Sequence, residues 1–301
     1  MKRKIALTGG TGFIGQYLIR DYSDKYDFVI ATSGPVPKIG GGYHTDYSKK
    51  SFKEIFQGCD AIVHLGSRVP NSVTLLEEIG PYLENVITTE HLLQAAVELN
   101  IQRVIFTSSV SVYEKNVGSA LSEDNICMPD NVYGISKAAA EMLFGLYAKR
   151  YGIEPIVLRV SQVLGYRHYK SSGFYSMLQN NAYENKQITL YGEGKACRDY
   201  IYVKDVCAAI DCSLQDQAIP GVYNIGSGVP TSNLALAEAY CKVFENDAGI
   251  VHVSVAQEDG RFYYTNIHKA KNGLGWEPQY DLTSMITDIK AEMLRAKEKC
   301  L

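Results

Sequence analysis

Residues 8–15 read TGGTGFIG and directly follow a short apolar run, KIAL, near the start of the chain. The glycine spacing fits G-x-x-G-x-x-G through Gly9, Gly12 and Gly15, and G-x-G-x-x-G when Gly10 is taken first. A strand-to-helix loop needs such glycines where the turn is tight, a pyrophosphate approaches the backbone and the helix packs close to the strand. The N–H groups at the helix N-terminus then hold the anion. The stretch therefore predicts a dinucleotide-binding unit; the alternative is a glycine-rich turn without a ligand.

The rest of the first half alternates short apolar runs with helical patterns. Continuous apolar runs are typical of strands whose sheet is covered by helices on both faces. The strand candidates are KIALTG, DFVIAT, AIVHLG, RVIFTSS and PIVLRV. Because strands that alternate with helices indicate βαβ units, we predict an α/β fold with a Rossmann-type doubly wound parallel sheet.

The pattern changes after about residue 165, where tyrosines, glycines and short segments dominate. The length of 301 residues is enough for about two domains at roughly 150 residues each. We predict a Rossmann domain from residues 1–165, joined by about 196–227, and a smaller C-terminal α+β domain from 166–195 and 228–301. The stretch SGPVPKIGGG, residues 33–42, is predicted to be a loop because glycine and proline break regular structure.

The composition excludes several classes of partner. The formal net charge is -3, which leaves no basic field to hold a nucleic acid. Seven cysteines without a C-x-x-C pair indicate reduced thiols rather than a disulfide scaffold, and we predict no metal site. The N-terminal apolar run is too short for a signal peptide, and no long apolar span follows. We therefore expect a cytoplasmic protein that binds neither membranes nor nucleic acids.

The stretch YGISK, residues 133–137, places a tyrosine and a lysine four positions apart. The preceding PDN supplies N-cap candidates, so Tyr133 would lie in or just before the first turn of a helix, with Lys137 on the same face. Ser109 ends the strand candidate RVIFTSS. Sites in a doubly wound sheet form beyond the carboxyl ends of the strands, so we predict that Ser109, Tyr133 and Lys137 converge.

The chemistry of this cluster depends on charge. A free tyrosine has a pKa of about 10, and a cation within about 4–6 Å typically lowers it by about 1–3. The helix N-terminus and the positive ring of an oxidised nicotinamide act in the same direction. We predict that Lys137 lowers the pKa of Tyr133, that the phenolate takes a proton from a substrate hydroxyl as hydride leaves the same carbon, and that Ser109 holds the substrate oxygen. The alternative is an ordinary surface pair, since the chain has 22 tyrosines.

The end of the second strand candidate leaves the cofactor open between NAD and NADP. A carboxylate there would accept both ribose hydroxyls of NAD. The sequence offers Thr32 and Ser33 instead, with no acid between residues 28 and 42. Ser33 would tolerate a 2′-phosphate, and Lys38 is the nearby cation. Asp46 either accepts a hydrogen bond from an adenine amino group or is a solvated loop carboxylate.

Seven stretches together carry a family resemblance: TGGTGFIG, DAIVHLGS, FTSSVSVY, YGISK, LRVSQVLG, RDYIYVKD and GVYNIGSG. Through them, residues 4–278 resemble the extended short-chain dehydrogenase/reductase family and, more closely, the NAD-dependent epimerases and dehydratases that act on nucleotide sugars. The resemblance implies that the C-terminal domain binds the nucleotide sugar. Together with Ser33, the cofactor contacts it implies are Gly9, Gly12, Phe13, Ile14, Gly15, Asp46, Tyr47, Leu65, Asn85, Tyr133 and Lys137.

The resemblance also implies substrate contacts. Arg198 falls where the family binds the substrate diphosphate, a task that suits a guanidinium. The alternative is an ion pair with Asp199 or Asp205. Arg261 is a second phosphate candidate, although the usual R-P-G-D text of the family is absent around it. Gln162 stands where relatives often have a sugar-binding asparagine.

Departures from the family narrow the reaction. Sugar 4,6-dehydratases carry Asp-Glu just after the catalytic Ser/Thr, where this chain has Val110 and Ser111. Decarboxylases need a glutamate at the second of these places, and reductases that also epimerise at C3 and C5 need a cysteine in this segment, which has none. The reactions that remain, 4-epimerisation and ketone reduction, need only hydride transfer and one tyrosine that acts as acid and base.

Three hypotheses remain open for the activity. The first is an NAD(P)-dependent nucleotide-sugar 4-epimerase, the second an NADPH-dependent reductase of nucleotide 4-keto sugars, and the third a non-catalytic dinucleotide sensor. For assembly, the resemblance implies a homodimer through two helices per subunit, those that contain residues 82–99 and 133–150.

Overall fold

The computed structural model describes residues 2–35, 41–69, 78–114, 119–167 and 173–298. Lys38 and part of the predicted loop 33–42 lie outside these ranges. In chain order, the strands are β1 (Arg3–Thr8), β2 (Tyr26–Thr32), β3 (Gly41–His44), β4 (Ala61–His64), β5 (Arg103–Ser109), β6 (Ala120–Leu121), β7 (Glu154–Val160), β8 (Gln162–Leu164), β9 (Ile188–Tyr191), β10 (Cys197–Tyr202), β11 (Gly221–Ile225), β12 (Pro230–Ser232), β13 (Ile250–Val253) and β14 (Tyr264–Thr265).

The helices alternate with the strands through the first half. They are α1 (Phe13–Tyr22), α2 (Lys49–Phe56), α3 (Gly80–Glu98), α4 (Val132–Tyr151), α5 (Phe174–Tyr183), α6 (Val203–Ser213), α7 (Asn233–Phe244), α8 (His268–Leu274) and α9 (Leu282–Glu298). Asn131 is the N-cap of α4, and its side chain accepts a hydrogen bond from the Gly134 N–H at 2.8 Å. Tyr133 therefore lies in the first turn, as predicted.

A seven-stranded sheet forms the centre of the fold. Its order is β11-β7-β5-β4-β1-β2-β3, and every neighbouring pair is parallel. The strand order reverses direction between β1 and β4, which is the arrangement of a doubly wound Rossmann-type sheet. The fold prediction is confirmed, and the five predicted strands are β1, β2, β4, β5 and β7.

Helices cover both faces of this sheet, which explains the continuous apolar runs. Along β1, Ile5 and Leu7 are buried in a core shared with α1 and α6. Ala6, between them, faces the opposite core, which contains Phe52 of α2 and Phe144 of α4. Full burial of each large apolar side chain contributes about 1.5–3 kcal/mol. The alternation therefore fixes which residues of each strand face which helical layer.

Strand β3 corrects the loop prediction. Gly41 and Gly42 were assigned to a loop, but they belong to an edge strand that pairs in parallel with β2. The sequence GGYH does not alternate apolar and polar residues, and a mostly exposed edge strand does not require such alternation. Its backbone hydrogen bonds are made with β2, so the pattern of residues 41–44 alone does not indicate a strand.

The C-terminal half adds three smaller sheets, β12-β10-β8, β13-β9 and β14-β6, while β11 joins the main sheet. The division into two domains remains a prediction. Within the described ranges, no helix is both long and apolar enough to span a bilayer, and no cluster of acidic, histidine and cysteine side chains is arranged to hold a metal. The six cysteines there are free thiols.

Candidate active site

The glycine loop lies at the carboxyl end of β1, where the strand order reverses. Gly9 has a left-handed backbone with φ 71°, and a Cβ there would lie 2.6 Å from the Gly66 nitrogen. A Cβ on Gly15 would lie 2.3 Å from the Gly9 carbonyl oxygen. A side chain at position 9 would therefore collide with the backbone that follows β4, and one at position 15 would push α1 away from the glycine loop.

Helix α1 begins directly after this loop, with Gly12 as its N-cap. The N–H groups of its first turn, on Phe13, Ile14 and Gly15, have no carbonyl partner within the helix. The side chains of Phe13 and Ile14 pack against the larger core, so a ligand would meet their backbone N–H groups. These donors, the helix dipole and the bare glycine backbone fit the pyrophosphate of a dinucleotide.

The predicted contacts for the adenosine end lie around the end of β2. The Ser33 hydroxyl donates to the Tyr47 hydroxyl at 3.2 Å, so these two residues are brought together. Tyr47 itself has a left-handed backbone, with φ 60°. Asp46 is exposed, and its carboxylate accepts the Ser48 N–H at 2.9 Å. Hydrogen bonds from the Ser48 side chain and from its backbone N–H lower the pKa of Asp46. Asp46 therefore also stabilises the turn into α2.

The segment after β4 is held to three elements. The Leu65 N–H donates to the Thr8 carbonyl at 3.2 Å, which ties it to β1. Asn85 of α3 accepts the Arg68 N–H at 2.7 Å and donates to the Ser136 hydroxyl of α4 at 3.1 Å. Asn85, a predicted cofactor contact, thus also fixes the wall of the site between α3 and α4.

His64, at the end of β4, was missed by sequence reasoning. Its Nδ1 lies 2.6 Å from the Thr8 hydroxyl and its Nε2 lies 3.2 Å from the Thr89 hydroxyl. Burial, followed by the nearby charge of Lys137, lowers the pKa of His64 to about 3. The imidazole is therefore neutral and joins β1 to α3 below the site. A buried histidine inside an apolar strand was the available signal.

The structure brings Ser109, Tyr133 and Lys137 together. Ser109 is the last residue of β5, and its hydroxyl lies close enough to the Tyr133 phenol to lower the pKa of that phenol. The Lys137 ammonium donates to the Thr107 carbonyl at 2.8 Å and lies 5.8 Å from the centroid of the Tyr133 ring. Tyr82 of α3 contacts the same ring edge-on, with centroids 6.5 Å apart. Because Ser109 ends β5 and the glycine loop follows β1 in the same parallel sheet, the cluster and the loop lie at the same edge of that sheet.

The predicted direction of the Tyr133 pKa is wrong for the protein alone. Burial raises it to about 12, a hydrogen bond from Ser109 lowers it, and Tyr82 raises it further. Burial also lowers the pKa of Lys137 to about 7, against the opposing effect of Glu141. Desolvation therefore decides the direction of both pKa shifts. The nicotinamide charge that the prediction also invoked acts only in the complex.

A buried ion pair below the cluster was also missed. Arg159 of β7 pairs with Glu141 of α4 at 2.7 Å, and the Ser108 hydroxyl donates to the same carboxylate. Arg159 also donates to the Tyr113 hydroxyl at 2.8 Å, and Tyr113 donates to Asn224 of β11 at 2.8 Å. This network joins the ends of β5, β7 and β11 to α4, and it includes Ser108, the residue before Ser109.

The predicted substrate contacts Arg198 and Arg261 meet on one carboxylate. Asp259 lies 2.7 Å from Arg198 and 2.6 Å from Arg261, and these guanidinium groups, Arg261 first, hold its pKa well below the usual range. Arg198 is buried and also donates to Asn233 at 2.8 Å. The three charged groups keep one net positive charge, which suits a diphosphate. Gln162 lies in β8, with its Cα paired to that of Tyr200 of β10.

The alternative partners of Arg198 have other tasks. Asp199 is fully buried and accepts the N–H groups of Ser227, Gly228 and Thr265 at 2.6–3.1 Å. Asp205 accepts the N–H groups of residues 279 and 280 at 2.9 and 3.3 Å. Both carboxylates therefore anchor loops of the C-terminal half. The ion-pair partner of Arg198 is Asp259 instead.

Comparison with known proteins identifies the family of this chain. Residues 5–226 match the model of the NAD dependent epimerase/dehydratase family. The chain belongs to this family. The match confirms the resemblance stated from the sequence and the dependence on NAD, which the family description names, and it shows that the chain is an enzyme of the epimerase/dehydratase family.

Individual relatives differ in their activities. The chain is 30% identical to the low-salt glycan biosynthesis protein Agl12 of Haloferax volcanii, over 92% of this chain and 94% of that protein. It is 29% identical to a dTDP-D-glucose 4,6-dehydratase of Dictyostelium discoideum, over 78% of this chain and 61% of that protein. Among solved structures, a UDP-N-acetylglucosamine 4-epimerase from Bacillus cereus is 28% identical and superposes with a TM-score of 0.87, covering 97% of this chain and 100% of that one.

Proposed function

We propose that this protein is an NAD-dependent nucleotide-sugar 4-epimerase. The observation that carries the proposal is the cluster of Ser109, Tyr133 and Lys137 at the same edge of the sheet as the glycine loop, in a chain of the epimerase/dehydratase family. One acid/base tyrosine and a hydride acceptor suffice for inversion at a single carbinol carbon.

The chemistry of the bound NAD is to accept hydride from C4 and return it. Tyr133 takes the proton of the C4 hydroxyl and gives it back, so one residue serves as base and acid. Ser109, which lies beside the phenol, holds the C4 oxygen in line. Lys137 binds the nicotinamide ribose and supplies positive charge beside the phenolate.

Inversion requires that the keto sugar turns while its nucleotide stays bound. Arg198 and Arg261 are the proposed anchors of the diphosphate, with Gln162 as a sugar contact. Because Arg198 is fixed by Asn233 and Asp259, it offers a rigid guanidinium rather than a mobile one. A rigid anchor costs less entropy on binding and leaves the sugar free to rotate.

Dehydration is disfavoured by the residues after Ser109. Loss of water across C5 and C6 needs further acid/base groups, and this segment holds Val110 and Ser111. The Ser111 N–H donates to the Ser109 hydroxyl at 3.1 Å, so the backbone here supports the serine.

A 4-keto-sugar reductase is the second candidate. The observation in its favour is Ser33, which follows β2 and whose hydroxyl contacts Tyr47; the sequence has no acidic residue between 28 and 42 to bind the NAD ribose. A non-catalytic sensor is the third candidate, and full turnover by Tyr133→Phe would revive it.

We also propose a homodimer through α3 and α4. Their outer faces expose Leu83, Ile87, Met142 and Leu146, with Met142 73% exposed. Apolar side chains clustered on two adjacent helices are typical of a self-complementary interface. Cytoplasmic location remains a prediction.

Product analysis tests the function. The purified protein is incubated with UDP-, dTDP- and GDP-sugars, with and without NADPH. A 4-epimerase forms the C4 epimer without added cofactor. Stoichiometric loss of NADPH absorbance with a 4-keto sugar would replace this proposal with the reductase.

A further inference from the structure

Ser161 lies between β7 and β8, at the carboxyl edge of the main sheet. The residue before it, Val160, pairs with Ser109, and the residue after it is Gln162. Its N–H donates to the Ile225 carbonyl at 2.9 Å. The backbone of Ser161 is therefore held in place beside the candidate site, between a catalytic candidate and a sugar-binding candidate.

The side chain of Ser161 is exceptional in its surroundings. The residue is 7% exposed, and across the described part of the chain its Oγ is the one buried side-chain polar atom without a hydrogen-bond partner. Burying a hydroxyl without a partner costs free energy that the folded protein could avoid with alanine. Such a group in a native fold therefore needs a physical explanation.

We propose that the Ser161 hydroxyl hydrogen-bonds the ligand that occupies this edge of the sheet. The inference rests on the proposed function, which brings a nicotinamide dinucleotide and a nucleotide sugar to this edge. Both ligands carry amide or hydroxyl groups, and a serine hydroxyl can donate to or accept from either. The desolvation cost is already met in the free protein, so the new hydrogen bond contributes to binding rather than to folding.

The proposal predicts opposite effects of one substitution. Ser161→Ala should raise the urea midpoint of the nucleotide-free protein, because it removes an unpaired buried hydroxyl. The same variant should bind its ligand about 2- to 12-fold more weakly, the net value of one hydrogen bond. A hydroxyl with a purely structural role would not produce this pair of opposite signs.

Ser213→Ala is the matched control. Ser213 is fully buried in α6, and its hydroxyl donates to the Ala209 carbonyl at 2.7 Å. Its removal should not raise the urea midpoint and should leave ligand affinity unchanged. Ser161→Cys, which is nearly isosteric and a weak donor, gives the same comparison if alanine disturbs folding.

Calorimetric titrations of the full chain with NAD alone and with UDP-N-acetylglucosamine alone distinguish the two ligand sources. Weaker binding of NAD only assigns the hydroxyl to the cofactor, and weaker binding of the sugar nucleotide only assigns it to the substrate. The proposal is overturned if Ser161→Ala destabilises the protein as a satisfied serine would, or if both affinities stay unchanged. A wild type that binds neither ligand overturns the proposed function as well, which separates the two failures.

Discussion

Replacing Glu141 by glutamine should destabilise the protein strongly, because it leaves a buried cation without its counter-ion. The Glu141 and Arg159 side chains are 10% and 7% exposed and lie 2.7 Å apart. Removing one partner of such a pair typically costs about 3–5 kcal/mol, against a total stability of about 5–15 kcal/mol. Glutamine keeps the volume of glutamate, so packing changes contribute little to this loss.

Urea unfolding followed by circular dichroism measures the effect. Glu98→Gln is the control, because Glu98 forms ion pairs with Lys49 and Lys53 at the surface, where pairs contribute little. Adding Arg159→Met to Glu141→Gln removes the unpaired charge and should recover part of the loss. Equal losses for Glu141→Gln and Glu98→Gln would refute the reasoning.

Three further predictions concern the site. Gly15→Ala should lose bound NAD and about 1–3 kcal/mol of stability through overpacking, because its Cβ would lie 2.3 Å from the Gly9 carbonyl oxygen. The control Gly80→Ala, whose Cβ meets nothing within 4 Å, should keep its bound NAD and its stability. Absorbance measures the bound NAD, and urea unfolding measures the stability. Tyr133→Phe should lower kcat by about 10²–10⁴-fold while NAD content is unchanged, and wild-type turnover would exclude the phenol as acid/base. The pKa of Lys137 is lowered to about 7 from an ordinary 10.5, so between these pH values the unfolded chain binds the proton and the folded chain releases it. The free energy of unfolding should therefore rise with pH above about 7, and Lys137→Met should remove that rise. Identical slopes of unfolding free energy against pH in both proteins would contradict this prediction.

Features that depend on local sequence patterns were predictable from the sequence. The five continuous apolar runs form five strands of the main sheet because both faces of each strand are buried. The N-cap candidate Asn131 begins α4, which places Tyr133 and Lys137 on one face. Their approach to Ser109 follows from strand-end geometry, which is a general property of doubly wound sheets.

Features that depend on distant partners were not predictable. The ion-pair partner of Arg198 is Asp259, far along the chain, rather than its sequence neighbour Asp199. The direction of the Tyr133 pKa depends on burial, to which residues from several elements contribute. A spacing of four residues specifies that two groups are close, but the surrounding dielectric decides which of them keeps its charge.

Retention of a C4 deuterium label tests the central claim most directly. A nucleotide sugar deuterated at C4, and accepted by the wild type, is incubated with the purified protein without added cofactor. The proposal predicts that both C4 epimers appear and that both keep deuterium at C4, because the same hydride leaves and returns. Epimers that exchange the label with solvent, or turnover only when NADPH is consumed, would contradict it.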